Sequence, residues 1–371
     1  MSFNKVRNYW AKYVRKTYKA VRKYRREKKA GLRKWLANGI GNKLLWKFTD
    51  RSRVSLGFSL GFAVAMLPPL PIQTFLAIIL VFAASLFSYA QTNKPKPDLP
   101  NVTYGEHERN VLDIWFADKN KQTPLAIYIH GGGFSTGSKE KINGNELTQL
   151  LAAGISVASI NYRYKTIVPL PGAHNDAKKA LQFIRSQAES WGINKDKIGV
   201  WGGSAGAQIS MWLAFSDEMA NVNSKNPIER ESTRVTCVAT KGGQTTMESD
   251  FWRRHIAKYA PEEVVSFRKN MRQYYGAKTV KKANEVTKSI SALELISKDD
   301  PPIFMQYGMR PNAPVPNNVN KIRGWIVHHV DFGIALKEKM DSLNIEAHLR
   351  YPRAKTKYNS LVGFFKDKLN Q

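Results

Sequence analysis

A single cysteine, Cys237, stands in 371 residues. It cannot close an intramolecular disulfide, so packing and hydrogen bonds must hold the fold together. Compartment stays open, because disulfide-free enzymes work on either side of a membrane. No Cys/His spacing of the zinc-binding kind occurs, and no metal or organic cofactor is implied. Acidic residues are scarce as well: 29 Asp and Glu face 58 Lys and Arg, a net charge of +29. The imbalance is uneven, since residues 1–53 hold 18 basic and 2 acidic side chains, a net of +16, and the remainder carries +13. A hydrophobic content of 43% excludes a disordered chain and suffices for one large α/β domain with an appendage.

Within the basic segment 1–53, Val6, Tyr9, Trp10, Tyr13, Val14, Tyr18, Val21 and Tyr24 recur at steps of three and four, with Lys and Arg between them. The spacing predicts a basic amphipathic helix from Val6 to about Trp35. Its aromatic stripe could pack on protein, lie on an anionic membrane or meet nucleic acid. The neighbouring segment favours an anionic lipid surface over nucleic acid: Leu70 to Ala90 carries no charge over 21 residues, enough at about 1.5 Å per residue to cross roughly 30 Å of hydrocarbon.

The apolar region 54–90 begins earlier, at Val54, and Pro68, Pro69 and Pro71 interrupt it. One span would leave the basic segment in the cytoplasm and the rest of the chain outside a bacterial inner membrane. A hairpin of two membrane helices would keep both on one side. Alternatively, Phe75 to Ala90 forms the core of a signal peptide cut at Ala90-Gln91, after the small residues Ser88 and Ala90. Residues 91–101, rich in Pro and Lys, then read as a linker.

From residue 102 onward, strand-like runs alternate with helical ones: Asn110 to Trp115, Leu125 to Ile129, Ile155 to Asn161, Lys197 to Val200, Val235 to Ala239, Ile303 to Gln306 and Glu346 to Leu349. Helices are predicted between them, among them Asp176 to Trp191 and Phe332 to Leu343. This alternation predicts an α/β fold with a doubly wound, mostly parallel sheet. Two of the strands run into short motifs. Lys197 to Val200 leads into Trp201-Gly202-Gly203-Ser204-Ala205-Gly206, a Gly-x-Ser-x-Gly turn entering a helix, where only small neighbours fit and the helix start faces the serine with free N–H groups. Leu125 to Ile129 leads into His130-Gly131-Gly132-Gly133-Phe134, with His130 lying 74 residues before Ser204.

With these two motifs in this order, the stretch from Val102 to Gln371 resembles the α/β-hydrolase superfamily, and within it the His-Gly-Gly-Gly esterase/lipase branch with its acetyl- and feruloyl-esterase-like members. The resemblance implies an α/β-hydrolase domain over 102–371 that acts on a small carboxylic ester. Ser204 would be the nucleophile, and the N–H groups of Gly132, Gly133 and Ala205 would form the oxyanion hole. His130 would order the glycine loop. The helical, aromatic and basic stretch of about 247–295 falls where the superfamily inserts a cap. Oligomeric state is not legible.

The same resemblance exposes two gaps. The acid is expected in the loop Tyr307 to Pro316, which holds no carboxylate; Asn312 stands about where it should be. The histidine is expected in Tyr351 to Lys357, and none is there. Asp299 and Asp300 precede the strand and belong at its far end, and His348 lies within a strand. His328 and His329, at the start of the helix after the Ile303 strand, sit on the correct face. The expected substitute is therefore His329 or His328 as base, with Asp331; His174 is a weaker candidate. If none serves, the domain is a catalytically silent binding or scaffold module.

Overall fold

The computed structural model describes residues 94–259 and 274–371. The segments read as a basic helix (1–53) and as membrane helices or signal (54–90) lie outside the described residues. Among the described residues, no helix is long and apolar enough to cross a membrane.

Eight strands form one sheet: β1 (Leu99–Thr103), β2 (Val111–Trp115), β3 (Thr123–Ile129), β4 (Ser156–Ile160), β5 (Ile193–Gly203), β6 (Cys237–Lys241), β7 (Ile303–Gln306) and β8 (Ala347–Arg350). Their spatial order is β1-β2-β4-β3-β5-β6-β7-β8. β1 and β2 are antiparallel to their neighbours, and from β4 to β8 all pairings are parallel. All seven expected strands are present, most with ends moved by one or two residues. The eighth, β1, starts inside the stretch expected as linker, and the compact unit begins at Lys94. Pro100 and Asn101 hide this strand in the sequence, but an edge position tolerates a proline.

Alternation along the strands explains the near-continuous apolar runs, because both faces of a parallel sheet are covered. On one face Trp115, Ala126, Val157, Trp201, Cys237, Ala239 and Phe304 pack under α1 (Gly144–Ala152) and the C-terminal helix α7 (Leu361–Leu369). On the other, Ile114, Ile127, Ile129, Val200, Val238 and Met305 meet α2 (Gly172–Ser186), α3 (Ala205–Phe215) and α6 (Asp331–Ser342). Cys237 is fully buried here, where burial pushes its thiol pKa up.

Between β6 and β7 the chain makes helical turns at Ser249–Phe251 and Trp252–Ile256, then α4 (Val280–Ser289) and a turn at Ala292–Leu295. The described parts of the expected cap are thus helical, and they are anchored on α3: Trp212 Nε1 donates to Ser289 O at 3.1 Å, and Gln208 Nε2 donates to Ile290 O. A further helix, α5 (Val319–Val327), precedes α6. His328 and His329 therefore lie at the α5–α6 junction and not at a helix start, as expected from sequence.

Candidate active site

Strand β5 ends at Gly203 and α3 begins at Ala205, so Ser204 alone makes the reversal. Its backbone sits at φ 54°, ψ −120°, a region L-residues rarely adopt and that costs about 1–3 kcal/mol. Two contacts hold it there. Ser204 N–H donates to Lys241 O at 2.9 Å, at the end of β6, and Ser204 O accepts from Gln208 N–H at 3.0 Å. The Lys241 ammonium pairs with Glu146 on α1. The Ser204 side chain makes no cap bond, so its hydroxyl is left for other work.

The glycine loop abuts this turn: a methyl placed on Gly131 would lie 2.7 Å from Gly203 O and 3.4 Å from Ser204 Cβ. Gly132 turns at φ 113°, and a side chain there would strike Thr136 O at 2.0 Å. Its own carbonyl accepts from the N–H groups of Ser135 and Thr136 at 3.0 and 3.1 Å. The N–H groups of Gly132 and Gly133 donate to nothing among the described residues, and the Ala205 N–H is one of the free donors of a helix start.

This loop is braced from behind. His130 Nδ1 donates to Gly131 O at 2.7 Å, and Nε2 accepts from Arg109 Nη2 at 3.4 Å. A ring with both nitrogens so used is neutral; burial, opposed in part by the bond to Gly131 O, lowers its pKa to about 4. His130 stacks on Tyr162 at 4.2 Å, and the Tyr162 hydroxyl donates to His130 O at 2.9 Å. Arg109 also reaches Gly137 O at 3.2 Å and lies 3.7 Å over the Tyr164 ring. Just beyond, the Lys139 ammonium is buried against Asp113 at 2.8 Å, and Lys139 N–H donates to Asn161 Oδ1 at 2.7 Å. A loop fixed this firmly presents its N–H groups without reorganising.

The histidines separate clearly. His174 is buried in α2 beside Phe134 and Trp212, with Nε2 2.5 Å from Gln208 Oε1, and burial lowers its pKa to about 4. His348 binds Glu346 at 2.7 Å and packs on Tyr358. Asp299 and Asp300 pair with Arg234 ahead of β6, at the end of the sheet away from Ser204. None of these reaches the elbow.

His329 and Asp331 do come together. The ring lies between Tyr259 and Trp325, fully buried; its Nδ1 accepts the Asp331 amide N–H at 3.2 Å and stands 3.4 Å from Asp331 Oδ1. Nε2 has no partner among the described residues. With its lone pair at Nδ1 given to an amide, the ring cannot also donate from that nitrogen to the carboxylate. Burial works against ionisation of Asp331, but its surroundings, the Lys258 ammonium 3.5 Å away among them, outweigh it and hold the carboxyl pKa below its ordinary value. Tyr259 links this carboxylate to the missing acid: its hydroxyl stands 3.3 Å from Asn312 Oδ1 and 3.5 Å from Asp331 Oδ2. Asn312 itself turns at φ 57°. A carboxylate from α6 thus stands beside the position where the loop after β7 carries none.

His328 faces elsewhere. Its Nδ1 is 2.7 Å from Gly242 O. A carbonyl only accepts, so Nδ1 carries the proton and Nε2 keeps a lone pair. Gly242 follows Lys241, whose carbonyl holds Ser204. The strand order β5-β6-β7 therefore places His328, over the end of β6, between Ser204 on one side and the Asn312 loop on the other. Sequence reasoning named both histidines as equals and did not find Tyr259 or the Gly242 carbonyl; no local signal marks either.

The profile of the BD-FAE family matches residues 112–321. The probable carboxylic ester hydrolase LipM of Mycobacterium tuberculosis is 28% identical over 234 residues, 61% of this chain and 50% of that protein. Esterase LipC of the same organism is 25% identical over 211 residues, covering 56% and 50%. The chain spans about half the length of these curated relatives. Among solved structures, the acetyl ester-xyloside bifunctional hydrolase of Caldicellulosiruptor lactoaceticus superposes with a TM-score of 0.53 at 18% identity, over 69% of this chain and 86% of that one. A truncated carbohydrate esterase from gut microbiota gives 0.53 at 20%, over 73% and 96%. At this identity the likeness speaks for the fold alone, which is that of an α/β-hydrolase.

Proposed function

The chain belongs to the BD-FAE family, and from that membership we propose that it hydrolyses carboxylic esters, with Ser204 as nucleophile and His328 as its base. One observation carries the assignment of the base: Ser204 and His328 hang on the consecutive carbonyls of Lys241 and Gly242, and the second of these fixes the imidazole in the tautomer able to accept a proton. In the reaction Ser204 Oγ attacks the ester carbon while its proton passes to His328 Nε2. The developing oxyanion is received by the N–H groups of Gly132, Gly133 and Ala205. His328 then returns the proton to the departing alcohol, and a water deprotonated by the same ring releases the acid. Backbone carbonyl replaces carboxylate as the orienter of the base. It sets the tautomer but gives the imidazolium less stabilisation, so this arrangement is slower than a full triad.

The distinguishing experiment compares single variants on a short-chain 4-nitrophenyl ester. His328→Ala is expected to lower kcat by about 10² to 10⁴-fold with the fold intact. His329→Ala is expected to act first on stability, because it empties a buried aromatic site. Unchanged turnover in His328→Ala would remove it from the chemistry. A second reading, a binding module without turnover, is favoured by Asn312 standing where the family acid belongs.

We further propose that residues 1–90 hold the hydrolase at an anionic membrane, through the basic stripe and the uncharged run from Leu70 to Ala90. The full chain is expected to co-sediment with vesicles containing phosphatidylglycerol and to stay bound in 0.5 M salt, as inserted apolar residues require. Release by salt would leave only a surface contact, and absence of binding would end the proposal.

A further inference from the structure

The loop after β4 brings a second charged group to the glycine loop. Lys165 N–H donates to Phe134 O at 2.8 Å, which fixes the lysine backbone beside the loop. Its ammonium reaches over the same loop, donating to Gly133 O at 3.1 Å, and lies 3.5 Å from the centre of the Tyr274 ring. Gly133 is the residue whose N–H is assigned to the oxyanion, and the space beside its Cα is open to 4 Å. The ammonium therefore sits at the rim of the site, half-buried, on an aromatic face.

Among the described residues Lys165 has no counter-ion. Its neighbour Arg163 is held by Asp176 through a contact of 2.6 Å, whereas no carboxylate among the described residues stands within ion-pair distance of Lys165. Burial first, and then the charge of Arg323, push its pKa below the ordinary lysine value. From Tyr307 to Val330 the chain carries Arg310, Lys321 and Arg323 and no acidic residue; from Tyr351 to Ser360 it carries Arg353, Lys355 and Lys357 and again none. These loops leave the same ends of β7 and β8 that face the Ser204 side of the sheet. A half-desolvated cation, one hydrogen bond from the oxyanion loop and under the like charge of Arg323, is costly unless an anion arrives with the substrate.

We propose that Lys165, seated on Tyr274, is an anion subsite, and that the substrate is an ester bearing a carboxylate near its scissile bond. This rests on the hydrolase reading above and deepens it. The carboxylate would take the free donors of the ammonium while Gly133 O and the Tyr274 ring keep it aimed. The basic loops after β7 and β8 would raise the local concentration of such anions, an effect that salt screens over a Debye length of about 10 Å at 0.1 M.

Two matched pairs test it: 4-acetoxybenzoate against 4-acetoxybenzamide, with the charge on the alcohol side, and monophenyl adipate against its methyl ester, with the charge on the acyl side. The wild type is expected to favour the anion in at least one pair by about ten-fold in kcat/KM, or 1.4 kcal/mol, and to lose part of that preference between 0.05 and 0.5 M NaCl. Lys165→Met should bring the ratio to about one, and Lys165→Arg should keep it within about three-fold. A purely structural lysine would lower both members of a pair together, so the ratio separates the roles. Ratios near one for both pairs in the wild type, or an unchanged ratio in Lys165→Met, overturn the proposal. If the wild type cleaves none of the four esters, the hydrolase reading fails by itself; equilibrium binding of 4-acetoxybenzoate and 4-acetoxybenzamide to Ser204→Ala then decides the subsite. Binding of the benzoate at least ten times tighter, lost with Lys165→Met added, supports it, and equal binding refutes it.

Discussion

Ser204→Ala is expected to leave the fold unchanged and to remove ester hydrolysis, lowering kcat by about 10⁴ to 10⁶-fold. The reason is chemical and local. Ser204 holds its unusual backbone through its own amide and carbonyl, which Ala retains: the N–H still donates to Lys241 O and the carbonyl still accepts from Gln208. The side chain makes no cap bond whose loss would destabilise α3. What disappears is the hydroxyl proposed as acyl acceptor, and the amides of Gly132, Gly133 and Ala205 with bound substrate would leave only about 10³ to 10⁴ over water. A fluorophosphonate probe reads the same site without requiring the substrate. Labelling of the wild type and none of Ser204→Ala establishes an activated serine; folded wild type that does not label supports the binding-module reading instead. Far-ultraviolet circular dichroism of both proteins keeps loss of fold apart from loss of chemistry.

Gly206→Ala is expected to destabilise by about 3 kcal/mol or more, although Gly206 lies in α3, where helix propensity alone favours alanine by about 1 kcal/mol. The added methyl would stand 2.0 Å from Ile129 O and 2.6 Å from His130 O. Both obstacles are backbone of β3 and the start of the glycine loop, so no side-chain rotation relieves them. Either α3 lifts from the sheet or the glycine loop shifts, and both move the serine from its oxyanion donors. Activity should therefore fall with stability. Gly363→Ala is the matched control: it lies in α7, its nearest neighbour would be Ser360 Oγ at 3.5 Å, and helix propensity is free to act. The unfolding free energy from urea titration should fall for Gly206→Ala and hold or rise by up to about 1 kcal/mol for Gly363→Ala, with the midpoints moving in the same direction. Similar midpoints for the two would show that the approach of α3 to β3 is looser than these distances.

The strands were legible because a buried parallel sheet demands unbroken β-branched and aromatic runs, as in Leu125 to Ile129 and Ile303 to Gln306. The elbow was legible because steric exclusion writes itself into residue type: only glycine fits at 202 and 206, on either side of the serine. The insertion between β6 and β7 was legible in outline, as a stretch whose described parts include helical turns and α4. β1 was missed because Pro100 and Asn101 carry a turn signature that an edge strand overrides, and α5 because the Pro- and Asn-rich loop before it masks its start.

From the sequence by itself came an α/β fold, a serine on a strand-to-helix turn with a glycine loop beside it, and the absence of acid and base from their usual loops. Only the tertiary structure decided how the remaining groups divide. His328 and His329 are adjacent in sequence, yet one ring is turned to the Gly242 carbonyl and the other enclosed by Tyr259 and Trp325. Asp331 arrives beside Asn312 from a different element, through Tyr259, and Lys165 reaches Gly133 across 32 residues of chain. Residue type and spacing encode what a local turn or strand requires. Which nitrogen faces which carbonyl, and which cation is left without a carboxylate, depends on side chains that meet across loops, and no periodicity records that.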